Sequence, residues 1–409
     1  MNVSQTGTTP RETREDALAQ PDPQKGGDNG SKVLCVFGTR PEVIKLAPII
    51  RELKLRQNHT QVLTVCSGQH SNLLDSLFEL FNFRVDFDLA VMRPEQNPNE
   101  VCARVLSGLG PILRKEVPDL IVVQGDTTTA LAGAMAGFHY NIRVGHVEAG
   151  LRSGNPNSPF PEEVNRRLIS RLAKYHFAAT PGNRETLLQE GVPEPDIFVT
   201  GNPGVDSLYS ILENTTPSER ARSLLQQVSS RKLLVLTTHR RESFGETMRQ
   251  NLRTLRRFVE THNDVCLVFA VHLNPNVVRA ANQELEGHER ILLIEPLGYA
   301  DFIHLLRHAW LLVSDSGGIQ EEAPTLGKPL LVLRNNTERP EAIKAGTAVL
   351  VGDHPGRFAS LLNTFYEDPA WVERVKQIPN PFGDGRAGPR IADLIVRICD
   401  TQTRIARTP

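Results

Sequence analysis

The chain has 409 residues, which is long for a single hydrophobic core and favours two or three domains. Its 46 basic and 47 acidic residues give a formal net charge of −1, so no overall positive field would attract nucleic acid or an anionic membrane. No segment reaches the ~18 consecutive apolar residues of a membrane span, and the amino terminus lacks the apolar region of a secretory signal. These features predict a cytoplasmic protein that binds neither nucleic acid nor membrane.

The first segment, residues 1–30, is rich in Pro and Gly and has no apolar run. We expect a disordered tail, because such a segment cannot bury enough surface to offset its ordering entropy. From residue 31 onward, short β-branched apolar runs alternate with helical patterns. The first set of predicted strands is Lys32–Phe37, Gln61–Cys66, Leu120–Val123, Arg143–His146, Tyr175–Ala178 and Phe198–Thr200.

A second set of strands follows a polar stretch near residues 211–230. Repeated strand–helix alternation implies right-handed crossovers and a parallel sheet covered on both faces. We therefore predict an α/β fold with two doubly wound domains, residues 31–204 and 205–380, and a cleft between them. The second set of predicted strands is Lys232–Thr237, Val265–Val271, Ile291–Ile294, Trp310–Ser314 and Pro329–Leu333.

Several cofactor signatures are missing. The sequence contains neither G-x-G-x-x-G after a strand nor G-x-x-x-x-G-K-[ST], and its five cysteines form no C-x-x-C pair or zinc pattern. We expect reduced thiols, no bound dinucleotide and no metal. A magnesium site built on Asp126 or Asp315 is an alternative that we do not favour.

Polar residues follow five of the predicted strands, and ligands of doubly wound sheets bind at the carboxyl ends of strands. Asp126, Glu148, Glu162 and His239 all map to one face of the cleft and are candidates for acid–base chemistry. Each has a structural alternative: Asp126 would cap the next helix, and Glu162 would meet the dipole of a first helical turn.

Ser316-Gly317-Gly318 is the best candidate for phosphate binding, because a Gly pair at a helix start lets backbone N–H groups approach an anion. Glu322, one turn further on, would take ribose hydroxyls. Arg40 and Lys45 would neutralise a diphosphate from the opposite wall. The alternative is that the glycines serve a tight turn.

Several segments resemble those of the non-hydrolysing UDP-N-acetylglucosamine (UDP-GlcNAc) 2-epimerases. They occur in the same order along the chain, from about residue 32 to 400. These segments are VFGTRPEVIKLAP (36–48), GDTTT (125–129), HVEAGLRS (146–153), PFPEEVNR (159–166), HRRESFG (239–245), HLNPNV (272–277), DSGGIQEEAPTLGKP (315–329) and TERPEA (337–342).

The resemblance implies a GT-B type of fold, in which two Rossmann-like domains flank the active-site cleft and a C-terminal helix, within residues 381–409, returns to the first domain. It implies interconversion of UDP-GlcNAc and UDP-ManNAc without a cofactor, by elimination of UDP to 2-acetamidoglucal and re-addition. It also implies a homodimer that serves polysaccharide biosynthesis.

Family roles fall on matching positions of this sequence. The essential carboxylates correspond to Asp126, Glu148 and Glu162, and the histidine beside the leaving diphosphate to His239. Substrate contacts correspond to Arg40, Lys45, Arg166, Ser316, Gly317, Gly318, Glu322 and Arg339. Candidate residues for an allosteric UDP-GlcNAc site are Gln69, His70, Arg240 and His272, although Ser71-Asn72 stands where regulated relatives are expected to have Arg or Gln.

Other functions fit parts of this pattern. A GT-B glycosyltransferase would keep the UDP site and pass the sugar to an acceptor. An epimerase for a UDP-diacetamido-uronic acid would share the motifs, a hydrolysing epimerase would release free ManNAc, and a UDP-sugar sensor would lack catalysis. The carboxylate set and the intact FGTRPE, HRRES and HLNPNV segments favour the epimerase acting on UDP-GlcNAc.

Overall fold

The structure is a computed structural model that describes residues 30–68, 72–93, 96–238, 244–352 and 355–405. The tail predicted for residues 1–30 therefore lies, except for its last residue, outside the described residues. Two parallel sheets, each with helices on both faces, form two domains. Among the described residues no helix is both long and apolar enough to cross a membrane.

The first half of the chain builds a seven-stranded sheet. Its elements, in chain order, are β1 (Ser31–Phe37), α1 (Arg40–Leu55), β2 (Thr60–Cys66), α2 (Asn72–Leu80), β3 (Phe87–Asp88), α3 (Pro98–Glu116), β4 (Leu120–Gln124), α4 (Thr128–His139), β5 (Arg143–Ala149), α5 (Glu162–Leu172), β6 (Tyr175–Ala178), α6 (Pro181–Gln189), β7 (Ile197–Val199) and α7 (Pro203–Asn214).

The second half builds a six-stranded sheet. Its elements are α8 (Glu219–Val228), β8 (Lys232–Thr237), α9 (Glu246–Thr261), β9 (Val265–Ala270), α10 (Pro275–Leu285), β10 (Ile291–Ile294), α11 (Tyr299–His308), β11 (Leu311–Ser314), α12 (Gly317–Thr325), β12 (Leu330–Val332), α13 (Pro340–Lys344), β13 (Ala348–Leu350), α14 (Pro355–Glu367), α15 (Pro369–Lys376) and α16 (Ala387–Ile405).

Both sheets have the doubly wound order that the alternating pattern predicted. The strand orders are β3-β2-β1-β4-β5-β6-β7 and β10-β9-β8-β11-β12-β13, and every pairing is parallel. Their topological switch points, between β1 and β4 and between β8 and β11, are where ligands of such sheets bind. The sequence did not predict β3 and β13, because edge strands of two or three residues carry little periodic signal.

The two domains are joined where the chain crosses between them twice. Asn202 N donates to Phe382 O at 2.8 Å, which ties the two crossing segments together. Helix α16 packs against α1, beside the first sheet. The Asp206 carboxylate in α7 accepts hydrogen bonds from Ala387 N and Gly388 N, at the first turn of α16. The boundaries at 204 and 380 stay a prediction.

Candidate active site

Four charged side chains from both domains meet in the cleft. Lys45 comes from α1, Glu148 from β5, Glu321 from α12 and Arg339 from the turn before α13. The Lys45 ammonium bonds the Glu148 carboxylate and lies 3.0 Å from Glu321 Oε2. All four side chains are less than a tenth exposed, so their interactions are only weakly screened by water.

Arg339 completes this cluster from the second domain. Its Nε atom donates to Glu321 Oε1 at 2.5 Å, its Nη2 atom to Glu148 Oε1 at 3.4 Å and its Nη1 atom to Glu338 at 2.6 Å. Two cations are thus shared by Glu148 and Glu321, which lie on opposite sides of the cleft.

Glu148 has an unusual backbone conformation. We predicted that the strand ends at His146, but β5 continues to Ala149 and shifts register between Val147 and Ala149. Glu148 sits in this bulge with φ +66°, a left-handed conformation that is rare outside glycine. Its carboxylate accepts a hydrogen bond from the Gln124 amide. Such strain is typical of functional positions, because the surrounding structure must maintain it.

The electrostatic environment gives Glu148 and Glu321 very different pKa values. Burial raises the pKa of Glu148 to about 7, since Lys45 only partly opposes it and the neighbouring Glu321 adds to it. At Glu321 burial also favours the neutral acid, but Arg339 and Lys45 outweigh it and lower the pKa to about 2. Glu148 is therefore able to gain and lose a proton near neutral pH.

Asp126 lies just beyond β4 and is held by α5. Arg166 bonds the Asp126 carboxylate through both Nε, at 3.1 Å, and Nη2. Asn165 Nδ2 donates to the Asp126 carbonyl oxygen at 2.9 Å. The cap of α4 is the hydroxyl of Thr127, which accepts from Ala130 N at 3.0 Å. The capping alternative for Asp126 is therefore wrong.

The first turn of α5 carries two glutamates in different surroundings. Glu162 is partly buried at the first helical position. The fully buried Glu163 accepts from Ser153 N at 2.8 Å, Arg166 at 3.0 Å and Arg167 at 2.8 Å. Glu163 thus supports the arginine that holds Asp126, whereas Glu162 is the residue we predicted for the site.

His146 supports the same turn from β5. Its Nε2 atom lies 2.7 Å from the carbonyl oxygen of Gly125, and because a carbonyl only accepts, Nε2 carries the proton. Burial lowers the pKa of His146 to about 3, so the ring is neutral. The hydrogen bond fixes the peptide that precedes Asp126.

The predicted phosphate segment lies on the opposite wall. Helix α12 begins at Gly317, and Ser316 is its N-cap residue. Glu322 accepts a hydrogen bond from the Tyr299 hydroxyl at 2.8 Å, and burial raises the pKa of Glu322 to about 7. Burial lowers the pKa of Arg40, and the charges of Tyr299 and Glu322 act in the opposite direction.

The structure does not describe every predicted site residue. Of the candidate allosteric residues, His272 is exposed after β9, where its Nδ1 atom accepts from Asn274 N at 3.2 Å. Within the described residues no group of His, Cys, Asp or Glu is arranged to hold a metal ion. The predicted residues outside the described ranges are Gln69, His70, His239 and Arg240.

The cluster also contains residues that we did not predict for the site. Glu321 stands next to Glu322, and the sequence alone does not indicate which of the two faces Lys45. Glu338 pairs with both Arg339 and Arg334, the latter at 2.8 Å. The TERPEA segment was a signal for Glu338, because Glu338 and Arg339 directly precede a short helix there.

The chain is similar to known proteins along most of its length. The family model for UDP-N-acetylglucosamine 2-epimerase matches residues 52–396. The chain is 46% identical over 367 residues to the UDP-N-acetylglucosamine 2-epimerase of Yersinia pestis, which covers 88% of this chain and 97% of the relative.

Solved structures give the same result. The crystal structure of UDP-GlcNAc 2-epimerase from Neisseria meningitidis, bound to UDP-GlcNAc, has a TM-score of 0.85 and 40% identity over 90% of this chain and 100% of that chain. A glycotransferase of kitacinnamycin, 13% identical with a TM-score of 0.61 over 91% of this chain and 99% of that chain, shares the fold alone. The chain has the GT-B fold, gathers carboxylates in its cleft and matches these relatives over most of its length. It therefore belongs to the UDP-N-acetylglucosamine 2-epimerase family and is an epimerase.

Proposed function

We propose that this epimerase interconverts UDP-GlcNAc and UDP-ManNAc by eliminating UDP and adding it back. The observation that supports this most is the buried Glu148 carboxyl group, reached by side chains of both domains and able to exchange a proton near pH 7. The relative from Neisseria meningitidis, solved with UDP-GlcNAc, supports the choice of substrate.

The C2 hydrogen of the sugar is not next to a carbonyl, so it is too weakly acidic for direct removal. If the C1–O bond to UDP breaks as the C2 proton leaves, the C–H electron pair forms the C1=C2 double bond of 2-acetamidoglucal and UDP departs with the C–O pair. Protonation of C2 from the other face and attack of UDP oxygen on C1 then give the other epimer. General acid–base groups on both faces are required.

Asp126 and Glu148 are the proposed proton-transfer pair, one on each face of the sugar. Arg166 orients Asp126, because its guanidinium bonds that carboxylate through two nitrogen atoms. Glu162 stabilises charge that develops on the sugar ring. His239, which lies outside the described residues, would act with Arg40 on the departing diphosphate.

The second domain would hold the nucleotide. The Ser316 hydroxyl and the backbone N–H groups of Gly317 and Gly318 at the start of α12 would bind phosphate oxygens, helped by the helix dipole. The Ser316 N–H group itself donates to Ser314 Oγ at 2.9 Å. Glu322 would bind the ribose hydroxyls. Lys45 and Arg339, already paired with carboxylates, would add positive charge towards the diphosphate.

Incubation of the purified protein with UDP-GlcNAc alone tests this assignment. We expect UDP-ManNAc to accumulate to an equilibrium mixture without an acceptor, NAD or added metal. A glycosyltransferase or a sensor would leave UDP-GlcNAc unchanged, and a hydrolysing epimerase would release free ManNAc and UDP in equal amounts. An epimerase for a diacetamido-uronic acid would act only on that nucleotide sugar.

A further inference from the structure

We propose that Glu321 is a positioning residue for proton transfer, which shares the Lys45 ammonium and the Arg339 guanidinium with Glu148 across the domain cleft and so keeps Glu148 able to take up and release a proton. This inference rests on the proposed function, in which Glu148 exchanges the C2 proton. It gives a task to a buried carboxylate that the proposed mechanism does not otherwise use.

The geometry places both carboxylates between the same two cations. Lys45 bonds Glu148 and lies 3.0 Å from Glu321, while Arg339 lies 2.5 Å from Glu321 and 3.4 Å from Glu148. The negative charge of Glu321 also raises the pKa of Glu148, because a neighbouring like charge favours the neutral acid. Charges this close and this buried titrate together.

Four elements around Glu148 each contribute one polar group to this arrangement. Helix α1 presents Lys45, β4 presents the neutral Gln124 amide, α12 presents Glu321, and the turn before α13 presents Arg339. Among the described residues, Lys45 and Arg339 bring positive charge to Glu148, and Glu321 supplies negative charge that offsets part of it. Without Glu321, Lys45 would pair with Glu148 alone, and Arg339 would be left with Glu148 and Glu338.

A reversible epimerisation makes this balance matter. Glu148 must accept the C2 proton in one direction and donate it in the other, so a carboxylate held permanently ionised would fail in one of the two half-reactions. A neighbouring like charge raises the proton affinity of a carboxylate, and a neighbouring cation lowers it. Glu321 therefore offsets the effect of the cations, so that Glu148 can both bind and release a proton.

The test is the pH profile of kcat/KM, measured with UDP-GlcNAc and with UDP-ManNAc, for wild type, Glu321→Gln and Glu338→Gln. We expect Glu321→Gln to move one limb of the profile to lower pH by about one unit, in both directions of reaction. Glu338→Gln is the matched control, because it removes a carboxylate from Arg339 but leaves the Lys45 bridge in place, and we expect a smaller shift. Glu321→Asp, which keeps the charge, is expected to restore the limb towards its wild-type position.

Each other outcome overturns the proposal in a recognisable way. If Glu321→Gln is folded and slower but its pH profile is not shifted, Glu321 has a merely structural role. If Glu321→Gln and Glu338→Gln shift the profile equally, the effect is not specific to Glu321. Loss of activity at every pH in folded Glu321→Gln and Glu321→Asp would make Glu321 a catalytic residue. Wild-type protein that leaves UDP-GlcNAc unchanged would refute the proposed function itself, and the role of Glu321 would fall with it.

Discussion

Arg339 lies directly over Gly317, where a Cβ atom would come within 2.5 Å of its Nη1 atom. The glycine at the start of α12 therefore makes room for the guanidinium that bridges Glu321 and Glu148. In the proposed function, Gly317 would also let backbone N–H groups approach a phosphate.

We predict that Gly317→Ala pushes Arg339 out of the cluster and lowers the free energy of unfolding by about 1–3 kcal/mol. Gly318→Ala is the matched control, because the nearest atom to its Cβ would be Ser316 Oγ, at 3.8 Å. Denaturant unfolding without nucleotide measures both. Equal stabilities of the two variants would show that Arg339 is not constrained by Gly317.

The adjacent glutamates of α5 should have separable effects. We predict that Glu162→Gln lowers kcat by about 100-fold or more while the fold stays intact, as do Asp126→Asn and Glu148→Gln. Glu163→Gln should instead lower the free energy of unfolding by about 1–3 kcal/mol, because it weakens the buried hydrogen bonds to Ser153 and Arg166. Steady-state kinetics and thermal unfolding on the same samples distinguish the two, and full activity of Glu162→Gln would remove Glu162 from the site.

The buried carboxylate of Asp206, which bonds the first turn of α16, should make stability depend on pH. Burial raises its pKa from 3.8 to about 6, although Gly388 N and Ala387 N oppose this. The folded protein therefore holds a proton that the unfolded chain has released, and stability falls as pH rises from about 4 to about 6. We predict that, relative to Asp206→Asn, wild type loses up to about 3 kcal/mol across this window. A difference that stays constant with pH would contradict this.

Much of the fold was predictable because most strands are short runs of apolar residues that are easy to recognise in the sequence. Tyr175–Ala178, Lys232–Thr237 and Ile291–Ile294 match the predicted bounds. The bulge at Glu148 was not predictable, because an extra strand residue in a left-handed conformation depends on tertiary packing. The sequence therefore identified this carboxylate as a candidate without indicating how it is aimed.

The contacts across the cleft were harder to predict than the residues themselves. Successive side chains of a helix, such as those of Glu321 and Glu322, point in different directions around its axis. Which of them meets Lys45 depends on how one domain sits against the other, and no local pattern encodes that. Asp126 and Arg166, by contrast, both lie in motifs that the family resemblance already singled out.

The most direct test of the central claim is isotope exchange at C2. Purified protein is incubated with UDP-GlcNAc in D2O without NAD or metal, and both nucleotide sugars are analysed by NMR and mass spectrometry. Transfer of the C2 proton to an exchangeable carboxyl group predicts deuterium at C2 in UDP-GlcNAc and UDP-ManNAc alike. Epimerisation that retains protium at C2 in both sugars would contradict the proton-transfer mechanism.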